Sequence, residues 1–359
     1  MPWNVKNIFL RQIPPPAERI VYTLVYLFVS CFVSFLFFEY SGVNESPLAR
    51  FSDMINGTAA QPFVYRTLVP WIVQGVLFLL PIGVQGTLHN LLSQSQAAQQ
   101  FFVQSGWARQ VDTQLFPLES LLVMGIITAC FLGCAVVIRQ LLQQFYPQAS
   151  RIITTVFPLI VLFSLPVFFM YGYIYDAPTL FLFTLALFFM YRKEWAKYVV
   201  IFLLACLNKE TSILLLMTFL IHFFSRKRLD RKKYLTLALG QFSVYMVICV
   251  ILSLFYSQNP DSFLNFHLLN SILFLPSWLT FRAQIVVAII GALLFYNWSK
   301  KPPFLKAALW MFVPLFIFTL PFSGLDEIRV FYEVYPVIML LLFPSLVKLI
   351  TGKDILARA

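Results

Sequence analysis

YRKEWAKYVVIFLLACLNKETSILLLMTFLIHFFSRKRLDRKK, residues 191–233, sets how this chain must be arranged. Arg192, Lys193 and Lys197 open it, and Arg226, Lys227, Arg228, Arg231, Lys232 and Lys233 close it. Between these basic clusters lie two apolar runs, 198–207 and 211–225, split by Asn208-Lys209-Glu210. In a membrane protein such clusters stay on the cytoplasmic side. Both can do so only if the chain crosses an even number of times between them. A hairpin of two short helices, with Lys209 at its outer tip, meets that condition. One continuous helix through Lys209 would bury a charge at mid-bilayer, at about 2.5–3.5 kcal/mol or more. It would also strand one cluster on the wrong side.

Composition supports a membrane setting. Hydrophobic residues make up 60% of the 359 and charged residues 11%, outside the range of soluble domains. Phe alone supplies 40 residues, which suits lipid-facing and bundle-packing helices. The net charge of +11 is spread between apolar runs, so it marks topology rather than a nucleic-acid partner. The cysteines, Cys31, Cys130, Cys134, Cys206 and Cys249, all lie in apolar stretches with no C-x-x-C. They read as small apolar residues, with no disulfide framework and no zinc site. Pro14-Pro15-Pro16 precedes the first apolar run and no small-residue cleavage site follows it soon, so that run is expected to stay as an anchor.

Apolar windows mark candidate spans at 20–40, 68–83, 118–140, 152–171, 178–191, 198–207, 211–225, 234–256, 284–298, 307–322 and 331–350. The window 68–83 is short and carries Pro70, Gln74 and Pro81. If it lies in the outer interface or re-enters, about ten spans remain, and 20 of the 26 Lys and Arg fall inside with both termini cytoplasmic. Only Arg50, Arg66, Arg109, Lys209, Arg282 and Arg329 stay outside. The expected fold is therefore all-α, a polytopic transmembrane helical bundle forming a single domain over 1–359. Its long outer segments are 41–117, with the interfacial or re-entrant helix, and 257–283. The compact chain favours a bacterial plasma membrane.

The acids sort the other way. Eleven of 15 fall outside or at the outer ends of spans, among them Glu45, Asp53, Asp176, Glu210, Glu327 and Glu333. The first outer loop offers Glu45 and Asp53, then Tyr65 and Arg66 at the head of the interfacial helix. An arginine there suits a lipid phosphate or diphosphate, because its planar fork pairs phosphate oxygens. Asp176 begins the span after Tyr171-Gly172-Tyr173-Ile174-Tyr175, where a carboxylate suits a helix N-terminus. Lys209 at the hairpin tip suits a phosphate leaving group, and Arg329 and Glu333, four apart, share one helix face. Each has an ordinary structural account beside the functional one. Asp176 with Pro178 is a helix start, Lys209 and Glu210 pair with each other, and Arg329 pairs with Glu333. His89, His222 and His267 are scattered and indicate no metal site.

The order of these features resembles the GT-C superfamily of membrane-embedded glycosyltransferases. The matching parts are an acid in a long first outer loop (Asp53 or Glu45), an interfacial helix after Pro62-Phe63-Val64-Tyr65-Arg66-Thr67-Leu68-Val69-Pro70, and a second acid, Asp176. A short-helix hairpin bearing Lys209 and the late stretch Asp326-Glu327-Ile328-Arg329 complete the set. The resemblance runs from about residue 20 to 345. The first loop lacks an adjacent acid pair, so Asp53 and Glu45 both stand as candidates.

The resemblance implies a catalytic module over 20–225 and variable C-terminal helices over 234–350. It implies inverting sugar transfer from a polyprenyl-phosphate donor to a lipid, glycan or protein acceptor on the non-cytoplasmic side. Asp53, Glu45 and Asp176 are then the catalytic acids. Arg66, Tyr65, Lys209 and Arg329 bind the donor phosphate, supported by Glu210, Glu327 and Glu333. No cofactor is obligatory; a divalent cation is compatible with the chemistry, and membrane lipids and the lipid-linked sugar are the partners. A transporter or flippase of a lipid-linked or anionic substrate would place its charges near the midplane, within repeats. No repeat is visible. A non-catalytic scaffold subunit would leave Asp53, Asp176 and Lys209 far apart.

Overall fold

The computed structural model describes residues 16–41, 46, 48–96, 100, 117–169, 172–224, 229–261, 273, 280–322 and 327–356. Among these the regular elements are all helices, with no strand. In order the helices are α1 (Pro16–Tyr40), α2 (Phe51–Asn56), α3 (Leu68–Leu79), α4 (Ile82–Gln94), α5 (Pro117–Phe145), α6 (Arg151–Ser164) and α7 (Asp176–Arg192). They continue with α8 (Trp195–Asn208), α9 (Ile213–Phe224), α10 (Arg231–Phe255), α11 (Phe281–Phe295), α12 (Pro303–Leu309), α13 (Phe312–Phe322) and α14 (Tyr335–Thr351).

Four helical segments are long and apolar enough to cross a membrane: Ile20–Tyr40, Pro117–Phe145, Arg151–Phe168 and Arg231–Phe255. A fifth is added if α3 and α4 count as one broken span. The protein is thus a helical membrane protein. The remaining apolar helices are shorter: α8 has 14 residues and reaches about 21 Å at 1.5 Å per residue, less than the hydrocarbon thickness of about 30 Å.

The segment beginning at Leu68 does not run straight. The axis turns by 113° between α3 and α4. Pro81 has no N–H to continue the ladder and pushes Leu80 into an extended conformation (φ −81°, ψ 130°), which ends α3. Helix α3 buries Val69, Pro70 and Val73 and packs on α2, α5 and α8, whereas α4 buries no residue.

Helices α5 and α7 form the centre of the bundle. Val123, Ile127, Phe131, Cys134, Ala135, Ile138, Leu141 and Leu142 of α5 are buried, and α7 is buried on nearly every side. Gly133 allows their close approach, because a Cβ there would meet Cε2 of Phe181 at 2.5 Å. Helix α10 sits at the periphery; Phe242, Val250, Leu254 and Phe255 face outward, as lipid contact requires. The five cysteines are free thiols.

Aromatic contacts show which helix ends lie together. Arg139 near the end of α5 stacks on Tyr22 near the start of α1, 4.9 Å from its centroid, and the Tyr26 hydroxyl donates to the carbonyl of Thr155 early in α6. Tyr191 at the end of α7 meets Phe145 of α5 at 4.5 Å and Phe304 at the start of α12 at 5.3 Å. Trp195, which opens α8, touches Phe219 and Phe223 in the second half of α9, and Phe219 stacks on Tyr234 at the start of α10. Helices α8 and α9 are therefore an antiparallel hairpin. Its two open ends, and with them Arg192, Lys197 and Arg231, gather at one end of the bundle, while Lys209 turns at the other.

Lys301, counted among the inner cations, is not solvated. Its side chain is folded inward, and Nζ donates to the carbonyls of Leu294 (2.6 Å), Leu341 (2.7 Å) and Leu293 (3.1 Å). Two of these belong to the last turn of α11, where a cation offsets the exposed carbonyls.

Candidate functional site

The end of the bundle opposite the basic clusters carries a buried network of ionisable side chains from four separate stretches of sequence. The first is the loop leading into α3. Asn259 Nδ2 donates to the carbonyls of Gly57 (2.9 Å) and Ala59 (3.0 Å), and Gln61 Nε2 to those of Tyr256 (3.0 Å) and Asn259 (3.2 Å). This staples the loop to the far end of α10. The Tyr65 hydroxyl donates to Gln61 Oε1 at 2.7 Å, so Tyr65 braces the staple. Arg66, next in the chain, turns inward and is buried.

Tyr173–Asp176 form the second stretch. The Tyr173 N–H donates to Asp176 Oδ2 at 2.8 Å, folding the loop back on the first residue of α7. Gly172 is needed for this turn, because a Cβ there would meet Cε2 of Phe37 at 2.9 Å and the Phe169 carbonyl at 3.1 Å. The Tyr173 and Tyr175 rings stack, 5.3 Å apart and 5° from parallel. The Ser46 hydroxyl hydrogen-bonds to that of Tyr173, so the start of the first outer loop also reaches this place.

The hairpin tip is the third. Asn208 Nδ2 closes α8 onto α7 through the Tyr175 carbonyl (3.0 Å) and Thr179 Oγ1 (2.8 Å). Lys209 is extended (φ −163°, ψ 139°), and a short 3-10 turn, Glu210–Ser212, follows. In extended backbone successive side chains point to opposite sides. Lys209 and Glu210 accordingly part, and neither pairs with the other. Lys209 Nζ lies 2.8 Å from Glu333 Oε1, which also accepts from Thr211 Oγ1 at 2.6 Å. Glu210 meets Arg66 with both oxygens, at 2.6 Å from Nη2 and 3.2 Å from Nε.

In the fourth, Ile328–Phe331 is a 3-10 turn and α14 begins only at Tyr335. Glu333 therefore precedes the helix rather than lying inside a span, and the four-residue spacing from Arg329 does not bring the two together. Arg329 Nη2 instead bonds Glu327 Oε2 at 2.6 Å, and Nη1 lies 3.8 Å from Asp176 Oδ2.

The two guanidiniums sit on the tyrosine pair. Arg329 lies 4.5 Å from the Tyr173 centroid and Arg66 4.2 Å from that of Tyr175, to whose hydroxyl its Nη1 also donates. Burial opposes the charge on both arginines. Glu210 and Tyr175 more than offset it for Arg66, and Tyr175 and Asp176 do so for Arg329, so both bind their protons more tightly than a free arginine. Burial likewise pushes the Glu210 carboxyl up, but Arg66 and then Lys209 outweigh it and hold it at about 2. Burial raises the Tyr173 and Tyr175 hydroxyls, which stay protonated.

Among the described residues the network holds Arg66, Lys209 and Arg329 against Asp176, Glu210, Glu327 and Glu333. Several of its buried atoms have no hydrogen-bond partner: Asp176 Oδ1, Glu333 Oε2, Asn208 Oδ1, Arg329 Nε and the Tyr332 hydroxyl. Such atoms are costly to leave unsatisfied, at about 1–3 kcal/mol each. The three oxygens of Asp176, Glu333 and Asn208 could accept from a ligand's hydroxyls, whereas only Arg329 Nε and the Tyr332 hydroxyl could donate to an anion.

Of the residues expected from sequence, seven meet here: Asp176, Arg66, Lys209, Arg329, Glu210, Glu327 and Glu333. Among the described residues Asp53 takes no part in the ion pairs; it lies in α2, where its Oδ1 accepts from Thr58 Oγ1 at 3.3 Å. Glu45 lies outside the described residues. Tyr173, Tyr175, Asn208 and Thr211 were not singled out from sequence. The two rings stack because residues 173–176 form a tight turn, closed by Asp176 N–H on the Tyr173 carbonyl at 3.0 Å, which the sequence did not announce. His222 packs against Phe223 and Phe304 at the basic end, and no group of three or more His, Cys, Asp or Glu among the described residues is placed to hold a metal ion.

Compared with models of protein families, with curated proteins and with solved structures, the chain matches none of them.

Proposed function

We propose that this protein is a membrane-embedded, inverting glycosyltransferase of the GT-C type, taking a sugar from a lipid-phosphate donor to an acceptor at the non-cytoplasmic face. One observation carries the reading: Arg66, Lys209 and Arg329, far apart in sequence, surround Asp176 at the end of the bundle opposite the basic clusters. Ionisable groups buried in a membrane bundle are costly and mark function by default. Their place at one rim suits a lipid headgroup better than a transport site at mid-bilayer. On this reading the short helices supplement the long ones to about ten spans. Helices α3 and α4 re-enter from the outer face, and both termini lie in the cytoplasm.

In the reaction the acceptor oxygen bonds to the anomeric carbon as that carbon's bond to the donor phosphate oxygen breaks. The electron pair departs on the lipid phosphate, whose charge Arg66, Lys209 and Arg329 neutralise. The acceptor proton passes to a carboxylate. Asp176 fits that role best among the described acids, because Oδ2 is fixed by the Tyr173 N–H while buried Oδ1 is unpartnered.

The test is a transfer assay with the full chain in lipid nanodiscs and labelled lipid-phosphate sugars. Asp176→Asn should lower turnover by about 10²–10⁴-fold, the range for losing a general base. Loss in Asp53→Asn or Glu45→Gln instead would move the base to the first outer loop and keep the transferase. Unchanged turnover in all three, or no transfer by the wild type from any lipid-linked sugar, would overturn the reading.

A further inference from the structure

The four acids of the network are not equivalent. Asp176 and Glu333 are wholly buried, whereas the side chains of Glu210 and Glu327 are 42% and 29% exposed. The exposed pair are also those that grip the arginines most closely, Glu210 with both oxygens on Arg66 and Glu327 with one on Arg329. A carboxylate on a guanidinium fork occupies the place of two phosphoryl oxygens. The arginines repel each other, yet both are held against one stacked tyrosine pair. Arg329 Nε, buried and unpartnered, leaves a further donor on the second guanidinium.

From this we infer that Glu210 and Glu327 are internal stand-ins for a diphosphate, and that the donor is a lipid linked to its sugar through two phosphates rather than one. The inference rests on the transferase reading and sharpens its substrate class. The argument is one of charge and number. A diphosphate diester carries two negative charges, one on each phosphorus, and replaces two carboxylates without changing the charge around the arginines. A monophosphate diester carries one, and would either leave a glutamate in place or leave an arginine bare in a buried site. Asp176 and Glu333 are not displaced: they keep Lys209 and the inner side of Arg329 neutralised. Tyr173 and Tyr175, stacked on each other, each carry one of the two guanidiniums.

The test uses the full chain in nanodiscs and calorimetric titration with two probes, farnesyl diphosphate and farnesyl monophosphate. The diphosphate should bind at least tenfold more tightly. Arg329→Gln should reduce that ratio to near one. Glu210→Gln with Glu327→Gln should tighten diphosphate binding several-fold, because the internal competitors are gone, where a purely structural role predicts weaker binding. Should those variants fail to fold, competition by inorganic pyrophosphate against inorganic phosphate on the wild type gives the same ratio. Equal binding of the two probes, binding of neither, or weaker binding in the folded double variant would overturn the inference. Sugar transfer from a monophosphate donor with no diphosphate preference would end it and leave the transferase intact. Diphosphate preference with no transfer from any donor would leave the clamp and end the transferase.

Discussion

Replacing Lys209 by Met should be among the most destabilising single changes in the chain, and replacing Glu333 by Gln as well should undo much of the damage. Glu333 is wholly buried and the Lys209 side chain is 6% exposed, with 2.8 Å between Nζ and Oε1. In Lys209→Met the carboxylate keeps only the Thr211 hydroxyl at 2.6 Å, and its second oxygen already has no partner. Breaking a buried pair by removing one partner costs about 3–5 kcal/mol, chiefly from the stranded charge. In Glu333→Gln the ammonium loses its counter-charge but keeps a neutral amide oxygen and the Tyr175 ring, 6.0 Å away, so the cost should be smaller than in Lys209→Met. Removing both charges strands neither, and the double variant should recover most of the loss, leaving a coupling of about 2–3 kcal/mol. The assay is a double-mutant cycle on unfolding of the purified protein in one detergent, followed by tryptophan fluorescence. If both single variants lose less than about 1 kcal/mol, the value for exposed pairs, the site is open to water and the case for a desolvated network collapses.

The close approach of α5 and α7 gives a second expectation: Gly133→Ala should cost about 1–3 kcal/mol by overpacking against Phe181, measured as a lowered midpoint in the same unfolding assay. Gly172→Ala should disturb the turn that carries Tyr173 and Asp176, lowering diphosphate affinity more than it lowers the unfolding midpoint. For Glu210, held at about 2 in the fold against an ordinary value of 4.5, the sign is that of a depressed acid. Its contribution is present above about pH 4.5 and is lost as pH falls toward 2, so wild type and Glu210→Gln should converge in acid-unfolding titrations over that window and differ by a constant amount from pH 5 to 8. Cysteine-reactive probes on a cysteine-free background should label position 209 only from the non-cytoplasmic side and position 229 only from the cytoplasm; labelling of both from one side would end the hairpin topology.

Much of the architecture could be read from residues that obey long-range rules. The clusters beginning at Arg192 and Arg226 called for a helical hairpin between them, and the contact of Trp195 with Phe219 and Phe223 shows one. The prolines of 68–83 marked it as an awkward span, and the chain turns by 113° at Pro81. Pairings were less legible. Arg66 and Glu210 are 144 positions apart, and nothing local in either stretch names the other. The Arg329–Glu333 spacing misled for a definite reason: the four-residue rule holds only on an α-helix, and here a 3-10 turn comes first, with α14 delayed until Tyr335. Asp53, attractive for its place in the first outer loop, caps its own loop through Thr58, and the local bond that makes it so is the kind a single sequence conceals.

The energetics of the network argue against a merely structural origin. Replacing buried ion pairs with well-packed apolar residues is often neutral or stabilising by about 1–4 kcal/mol, so a bundle whose cores at α5 and α7 are already dense has no need of them for stability. A structural network would also be expected to close its hydrogen bonds, as the staple of Gln61 and Asn259 on α10 does. This one leaves Asp176 Oδ1, Glu333 Oε2 and Arg329 Nε open while spending two half-exposed glutamates on its arginines. On the transferase reading, the unpartnered oxygens of Asp176 and Glu333 would accept from a sugar or acceptor hydroxyl, and the guanidiniums that Glu210 and Glu327 hold would take the phosphate.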